Sequence, residues 1–239
     1  TEYKRLAARS ESKPFYLRVP PNTWHGLKAV GKTPCIIKET ISGPYEANSL
    51  LWASFAPKES EGAEKGFDWY ESLKITELSN GNEEVFEELD NGVFRSSRQL
   101  VTVSKKQLEP IIEVAKSLPI KRARLCCHTS ANDDLQEMFI VLMQDVEISE
   151  SYHIRKDESL VMLDGKGHYI FPNEDTTIRE KINLSSKALK ERTNEIFFAR
   201  INRYVPHKVI VSSDFMLIHE ATTGPFVKND TDYRLKGIS

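Results

Sequence analysis

Residues 151–165 read SYHIRKDESLVMLDG, and the rest of the chain is interpreted from this stretch. His153 comes five positions before Glu158, and Gly165 follows after six more residues. A second histidine, His207, lies far downstream after a Val-Pro pair. Imidazole and carboxylate groups on neighbouring inward-facing strands can form one face around a divalent ion. Two imidazoles and one carboxylate leave coordination positions open, as a catalytic or substrate-binding metal requires.

Short apolar segments of strand length make up most of the remaining sequence. They are rich in Ile, Val and Phe and are broken by Gly, Pro, Asn and Asp, which is the pattern of an antiparallel sandwich or barrel. Asp164 and Gly165 predict a turn at which the strand reverses. The predicted strands are PCIIKETI (34–41), EMFIVLMQDVEI (137–148), SLVMLDG (159–165), HYIF (168–171), EIFFARI (195–201), HKVIVSS (207–213) and FMLIHEA (215–221).

One segment has helical rather than strand periodicity. Ser104 and Gln107 have the spacing of a capping box, and apolar residues follow at helical intervals. Pro110 falls inside that run and either kinks the helix or marks its first turn. The polar stretch 185–195 is interpreted as a short surface helix or an excursion between strands. The apolar positions of the predicted helix are Leu108, Ile111, Ile112 and Ala115.

Composition and charge narrow the classes of partner. A net charge of -2 offers no general attraction for nucleic acid, so a small-molecule or protein partner is expected. Cys35, Cys126 and Cys127 lack CxxC spacing, which indicates neither a disulfide framework nor a thiolate zinc site and fits a reducing cytoplasm. No apolar run approaches the roughly 18 residues needed to span a bilayer, so no membrane insertion is expected.

Two distant segments repeat each other. Residues 36–48 read IIKETISGPYEAN and residues 217–229 read LIHEATTGPFVKN. The repeat indicates two copies of one β fold, although short Gly-Pro turns also arise independently. The first copy lacks the run of sequence that precedes the second, so it is interpreted as the closing half of a barrel. We therefore predict two domains, 1–79 and 83–239, with a boundary near Gly81.

The spacing of His153, Glu158 and Gly165, followed by a strand with His207, resembles the two-part signature of cupins. Together with RARLCCHTSANDDLQEMFIVLMQ (122–144) and HEATTGPF (219–226), it makes residues 83–233 resemble the WbuC-type cupin-fold metalloprotein family of bacterial O-antigen and surface-polysaccharide genes. The resemblance implies a mainly β protein with a cupin (double-stranded β-helix, jelly-roll) barrel. One short helix precedes this C-terminal barrel, and an incomplete cupin-like β unit lies at the N-terminus.

The same resemblance implies a set of site residues. His153, Glu158 and His207 match metal ligands for a divalent ion (Fe, Mn, Ni or Zn), and Ser151 stands where a further histidine ligand is expected. Two simpler interpretations stay open: His153 and Glu158 as a hydrogen-bonded pair at a barrel mouth, and Arg122 and Arg124 as alternate residues on a solvated strand face. The substrate-binding candidates are Arg124, His128, Tyr152 and Lys156.

The N-terminal region carries a weaker resemblance. Residues 20–26, PPNTWHG, are similar to a turn typical of dTDP-4-dehydrorhamnose 3,5-epimerases and sugar-nucleotide ketoisomerases, whose second half residues 1–79 resemble. This region is not expected to be active alone. Trp24 and His25 are expected to pack structurally in a barrel mouth, and His168 and His219 are assigned to no site.

These resemblances imply a cytoplasmic, metal-binding cupin that acts on a sugar or nucleotide sugar in bacterial surface-polysaccharide biosynthesis. Isomerase or epimerase is the reaction class, with Tyr152 and His128 as candidate bases by proximity to the motif. The alternatives are a non-catalytic sugar-binding or regulatory module, favoured by Ser151, and oxidative chemistry at iron. Exposed edge strands of such a barrel are also expected to allow a homodimer.

Overall fold

The computed structural model describes residues 2–3, 6–7, 10–27, 29, 35–43, 59–62, 65, 76–77, 86–175, 177–189, 191 and 193–233. Strands dominate these residues, as predicted. The α-helix is α1 (Lys105–Ser117), and 3-10 turns lie at Glu59–Glu61 and Ser186–Leu189. The strands are β1 (Glu2–Tyr3), β2 (Tyr16–Arg18), β3 (Thr76–Glu77), β4 (Phe86–Asp90), β5 (Val93–Ser96), β6 (Val101–Val103), β7 (Arg122–Cys126), β8 (Leu135–Met143), β9 (Tyr152–His153), β10 (Glu158–Pro172), β11 (Ile178–Ser185), β12 (Phe198–Ile201), β13 (Lys208–Thr223) and β14 (Thr231–Asp232).

The main sheet runs in the order β11-β10-β13-β8-β7-β5-β4, and β12 also pairs with β10. Its pairings are antiparallel except the parallel contact between β5 and β7. The first half of β10 pairs with β12 and the second half with β11, while β13 runs beside both halves. This arrangement folds one pair of long strands around an interior, as a jelly roll requires.

The predicted turn at Asp164 and Gly165 is wrong. The structure instead has β10 continuing through Gly165, with register shifts against β13 between Met162 and Asp164 and between Gly165 and Gly167. Gly165 has a left-handed backbone with a φ of 84°, which glycine adopts without the steric penalty of a side chain. A bulge with such a glycine bends a strand without ending it. The two strand predictions at 159–165 and 168–171 are therefore parts of one strand, and those at 207–213 and 215–221 are parts of β13.

The sheet separates two hydrophobic cores because successive side chains point to opposite faces. We call them the inner core, which lies within the barrel, and the outer core, which lies under α1. The inner core comprises Leu142, Leu160, Met162, Tyr169, Phe171, Leu184, Ala199, Ile201, Val211, Met216 and Ile218. The outer core comprises Val101, Val103, Leu108, Ile111, Ala115, Ala123, Leu125, Cys127, Phe139, Val141 and Leu217.

Helix α1 confirms the prediction from the capping-box spacing. The backbone N–H of Ser104 donates to the side-chain oxygen of Gln107 over 2.9 Å, and the helix begins at Lys105. Pro110 lies inside the helix, so the interpretation that it marks the first turn is wrong. The buried face of α1 carries Leu108, Ile111 and Ala115 onto the outer core.

A short N-terminal segment is bound to the same outer face. Strand β2 pairs antiparallel with β6, and the Tyr16 ring packs edge-on against Phe139 at a centroid distance of 5.1 Å. The Tyr16 hydroxyl donates to Glu137 over 3.0 Å. Arg18 donates to the Cys127 carbonyl over 3.0 Å and to Asp133 over 2.8 Å. Residues 15–18 thus contribute to the packing of the C-terminal barrel.

The described parts of the two repeat copies have different structures. In the second copy, β13 runs to Thr223, directly before Gly224 and Pro225. The strand predicted at 34–41 is wrong for its described residues, since 35–43 contain no strand. Ile36 is 95% exposed there, and a single strand without a paired neighbour leaves its backbone groups unsatisfied.

The division into domains 1–79 and 83–239 stays a prediction, and its boundary at Gly81 lies outside the described residues. Among the residues that the structure describes, α1 included, no helix has the length and apolar character needed to cross a membrane.

Candidate metal centre

Three chain segments meet at one end of the inner core. His153 ends β9, Glu158 begins β10, and His207 directly precedes β13. Two backbone hydrogen bonds join the first and last of these segments: Ser151 N–H donates to the His207 carbonyl over 3.1 Å, and His207 N–H donates to the Ser151 carbonyl over 3.0 Å. The backbone itself therefore fixes the relative positions of the predicted ligands.

The Glu158 carboxylate lies between the two imidazoles. Its Oε2 is 3.1 Å from His153 Nε2, and its Oε1 is 3.1 Å from His207 Nε2. The three ligand atoms all lie within 4.8 Å of one another. Glu158 is 6% exposed and His207 8% exposed, so the group is largely withdrawn from water.

Hydrogen bonds on the far side of each ring orient the imidazoles. His207 Nδ1 lies 2.9 Å from the Val205 carbonyl, which can only accept, so Nδ1 carries the hydrogen. His153 Nδ1 lies 3.1 Å from Thr231 Oγ1. A neutral His207 therefore turns the lone pair of Nε2 toward Glu158. That lone pair and the carboxylate repel each other unless a proton or a cation lies between them, and this is the donor set of a divalent-metal site.

Glu158 and His207 stabilise each other's charged forms. Burial alone would raise the pKa of Glu158, but hydrogen bonds from His153 and His207 lower it to about 2. Burial alone would lower the pKa of His207, but the hydrogen bond to Glu158 and the charge of that carboxylate raise it above its ordinary value. The raised pKa of His207 favours a proton on Nε2, from which it can donate to Glu158.

Metal affinity is expected to depend on pH because a metal must displace that proton. The pKa of His207 is raised. As the pH rises toward that pKa, the apparent dissociation constant of the metal should fall by up to about tenfold per pH unit, and above that pKa it should level off. Titration with Zn²⁺ or Mn²⁺ at several pH values between 5.5 and 8.5, with a competing chelator, measures this slope. An affinity that is constant over this range would contradict the assignment.

The other predicted residues lie outside the ligand group. Ser151 contributes backbone bonds, and the ligand group consists of His153, Glu158 and His207. The Tyr152 hydroxyl donates to Asp232 over 2.6 Å. Because neighbouring residues of a strand point to opposite sides, Tyr152 points away from the side on which His153 meets Glu158. Its role in substrate binding stays a prediction.

Glu220 is the functional candidate that sequence reasoning missed. It lies on β13 opposite Leu160 of β10 and Met138 of β8, on the inner side of the sheet. Burial and the neighbouring Glu158 charge raise its pKa to about 7, although Lys156, His207 and Arg124 act in the opposite direction. A carboxyl group with such a pKa can both take and give a proton near neutral pH.

Two further observations complete the surroundings of the site. The buried Tyr169 ring lies 5.6 Å from the His207 ring, and burial raises the pKa of its hydroxyl. His128 is buried with Nδ1 3.1 Å from the Glu137 carbonyl, and burial lowers its pKa to about 4.

The sequence signalled Glu220 only as the residue matching Glu39 in the internal repeat.

The histidines assigned to no site lie outside the ligand group. His219 is buried on the outer face, 3.6 Å from Glu137, and His168 Nδ1 is 3.3 Å from Ser212 Oγ. The expected packing of Trp24 and His25 into a barrel mouth is wrong, because both side chains are exposed.

Comparison with known proteins leaves the activity open. The order and pairing of the strands give a mainly β jelly roll. The chain has the cupin fold. Residues 103–184, about a third of the chain, match a domain of unknown function, DUF6016. No curated protein matches the chain.

Solved structures of low similarity include an enzyme, a seed globulin and a protein without a stated activity. Protein SO0799 from Shewanella oneidensis is 9% identical with a TM-score of 0.42, covering 52% of this chain and 82% of that one. Lactobacillus farciminis oxalate decarboxylase, in a formate complex, is 11% identical with a TM-score of 0.33, covering 43% of this chain and 27% of the enzyme. Procruciferin, an 11S globulin from Brassica napus, is 13% identical with a TM-score of 0.31, covering 38% of this chain and 21% of the globulin.

Proposed function

We propose that this protein is a metal-binding cupin that moves a proton between adjacent carbons of a sugar or nucleotide sugar, as an isomerase or epimerase does. The observation that carries the proposal is the buried His153, Glu158 and His207 group with Glu220 on the same inner side of the sheet. The resemblance to WbuC-type cupins supports a place in bacterial surface-polysaccharide biosynthesis. A cytoplasmic location fits nucleotide-sugar substrates.

Each residue has a defined part in this proposal. His153, Glu158 and His207 would hold the divalent ion, which when bound supplies a Lewis acid that polarises a carbonyl group. Glu220 would take the proton from the carbon next to that carbonyl and return it to the neighbouring carbon, whereas inversion of the first carbon would need a water molecule to deliver a proton to the opposite face. The pKa of Glu220, raised to about 7 by burial and by Glu158, suits both steps, and a bound cation would lower it.

A non-catalytic sugar-binding or regulatory module is the second candidate. Ser151 favours it, because the backbone of this residue is paired with His207 and its side chain is not a member of the ligand group. A site with three protein ligands binds metal more loosely than one with a fourth. Oxidative chemistry at iron rests on the open two-histidine, one-carboxylate face alone, whereas Glu220 favours proton transfer.

Hydrogen exchange with solvent tests the proposed reaction directly. Metal-loaded protein is incubated in D2O with nucleotide-linked 4-keto sugars, and deuterium at the carbon next to the ketone is measured by mass spectrometry and NMR. Proton transfer by Glu220 predicts incorporation that falls at least about 100-fold in Glu220→Gln while bound metal is retained, since general acid–base groups contribute 100-fold or more.

Glu147→Gln is the matched control, because Glu147 is exposed in the loop after β8. It should leave exchange unchanged. Full exchange in Glu220→Gln would remove Glu220 from the mechanism. Metal binding without any exchange in the unsubstituted protein would favour the binding module.

A further inference from the structure

Two arginines lie diagonally from each other on neighbouring strands of the main sheet, Arg95 on β5 and Arg124 on β7. Strands β5 and β7 pair in parallel with Val93 opposite Arg124 and Arg95 opposite Cys126. Arg124 in turn lies opposite Ile140 of β8, and Ile140 lies opposite Ile218 of β13. The arginines thus continue the row of residues that leads across the sheet from the barrel.

Both arginines belong to the inner side of the sheet. The residues that alternate with them, Phe94 and Leu125, pack in the outer core, so Arg95 and Arg124 point the other way. Ile218, in the same row as Arg124, packs in the inner core. The charge of Arg124 acts to lower the pKa of Glu220. The charge of Arg95 acts to lower the pKa of His128.

The two guanidinium groups are arranged to receive an anion. In the part of the chain that the structure describes, neither is in an ion pair with a carboxylate. Arg95 Nε is buried and has no hydrogen-bond partner, and a buried donor without an acceptor is costly. The planar fork of a guanidinium matches phosphate oxygens with two parallel hydrogen bonds. A phosphate group supplies the missing acceptor.

The spacing suits one extended ligand. Strand β7 is three strands from β10 in the sheet order β10-β13-β8-β7, which is roughly 14 Å at the usual strand spacing. Glu220 lies on β13, between these two strands. A hexose joined to a diphosphate has a comparable length, so its sugar could lie at the metal centre while its phosphates meet the arginines.

We propose that Arg95 and Arg124 form an anion subsite that binds the phosphate or diphosphate group of the substrate. The position of the sugar rests on the proposed function, whereas the binding of phosphate by the two arginines does not. The subsite selects sugar phosphates and nucleotide-linked sugars over free sugars.

Inorganic pyrophosphate is the probe that tests the subsite. The full chain is treated with a chelator, and pyrophosphate is titrated in by calorimetry at low ionic strength. Arg124→Gln and Arg95→Gln are each expected to weaken binding at least about tenfold, since a hydrogen bond to a charged group contributes that much. Arg124→Lys keeps the positive charge but loses the forked guanidinium group. Its affinity for pyrophosphate should lie between that of Arg124→Gln and that of the unsubstituted protein.

Arg179→Gln is the matched control, because Arg179 is exposed on β11 at the other end of the sheet. Its affinity for pyrophosphate should be unchanged. Absence of binding to the unsubstituted protein, or equal affinity in Arg124→Gln and Arg179→Gln, would overturn the subsite. Arg124 is exposed, so Arg124→Gln is decisive even if Arg95→Gln fails to fold.

The two proposals fail separately. Pyrophosphate binding that depends on Arg124, in a protein that binds no divalent metal, would keep the subsite and remove the proposed reaction. Metal binding and deuterium exchange with unaltered pyrophosphate affinity in Arg124→Gln would keep the reaction and remove the subsite.

Discussion

Replacing His153 with alanine is expected to weaken divalent-metal binding by at least about 100-fold, more than the loss of an outer hydrogen-bond partner would. His153 supplies one of two imidazole nitrogens that share the Glu158 carboxylate. After this substitution only Glu158 and His207 remain as protein ligands, fewer than the three that open metal sites have. Metal content after dialysis and a competition titration with a chromophoric chelator measure the loss.

His168→Ala is the control for His153→Ala. His168 lies on β10, the strand that begins with Glu158, and its Nδ1 contacts Ser212 rather than the ligand group. Its metal content should match that of the unsubstituted protein. Stoichiometric metal in His153→Ala, or equal loss in both variants, would mean that the triad is only a hydrogen-bonded group at the barrel mouth.

The ligand group could be predicted from sequence because its members are recognised by residue type and spacing. His153 and Glu158 lie within one short segment, and His207 precedes an apolar strand. Glu220 could not be found in this way. Its position beside the site depends on the pairing of β13 with both β10 and β8, and a glutamate within an alternating strand carries no spacing signal of its own.

Arg95 was missed for a related reason. It meets Cys126 through a parallel pairing of β5 and β7, whose strands are separated by α1 in the sequence. Sequence pattern predicts which residues face one side of a strand but not which strand lies next to it. Arg124 was proposed from the family resemblance alone, and its neighbour became evident only from the register.

Strand content was predictable, whereas strand continuity was not. Gly and Asp favour turns, but the same residues occur at bulges inside long strands. The segments on either side of Gly165 were therefore predicted as separate strands. The opposite error occurred at residues 35–41, where an apolar pattern predicted a strand that is absent from the described chain. A strand needs a paired neighbour as well as a suitable sequence.

Gly165→Ala is expected to lower the free energy of unfolding by at least about 3 kcal/mol, at the upper end of the cost of local backbone strain. A Cβ at this position would lie 2.1 Å from the Phe215 carbonyl oxygen, and the backbone φ of 84° is one that side-chain residues rarely adopt. Strand β13 holds that carbonyl in place beside β10, so the contact cannot be relieved by a side-chain rotation. Urea unfolding followed by circular dichroism measures the change.

Gly26→Ala is the matched control, since nothing lies within 4 Å of a Cβ at that position. It should change the free energy of unfolding little. An equal, small effect in both variants would show that β10 does not bend at Gly165. Because β10 carries Glu158 at its start and Tyr169 beyond the bulge, the same bend brings Tyr169 against His207. Gly165→Ala should therefore also weaken metal binding, although it removes no ligand.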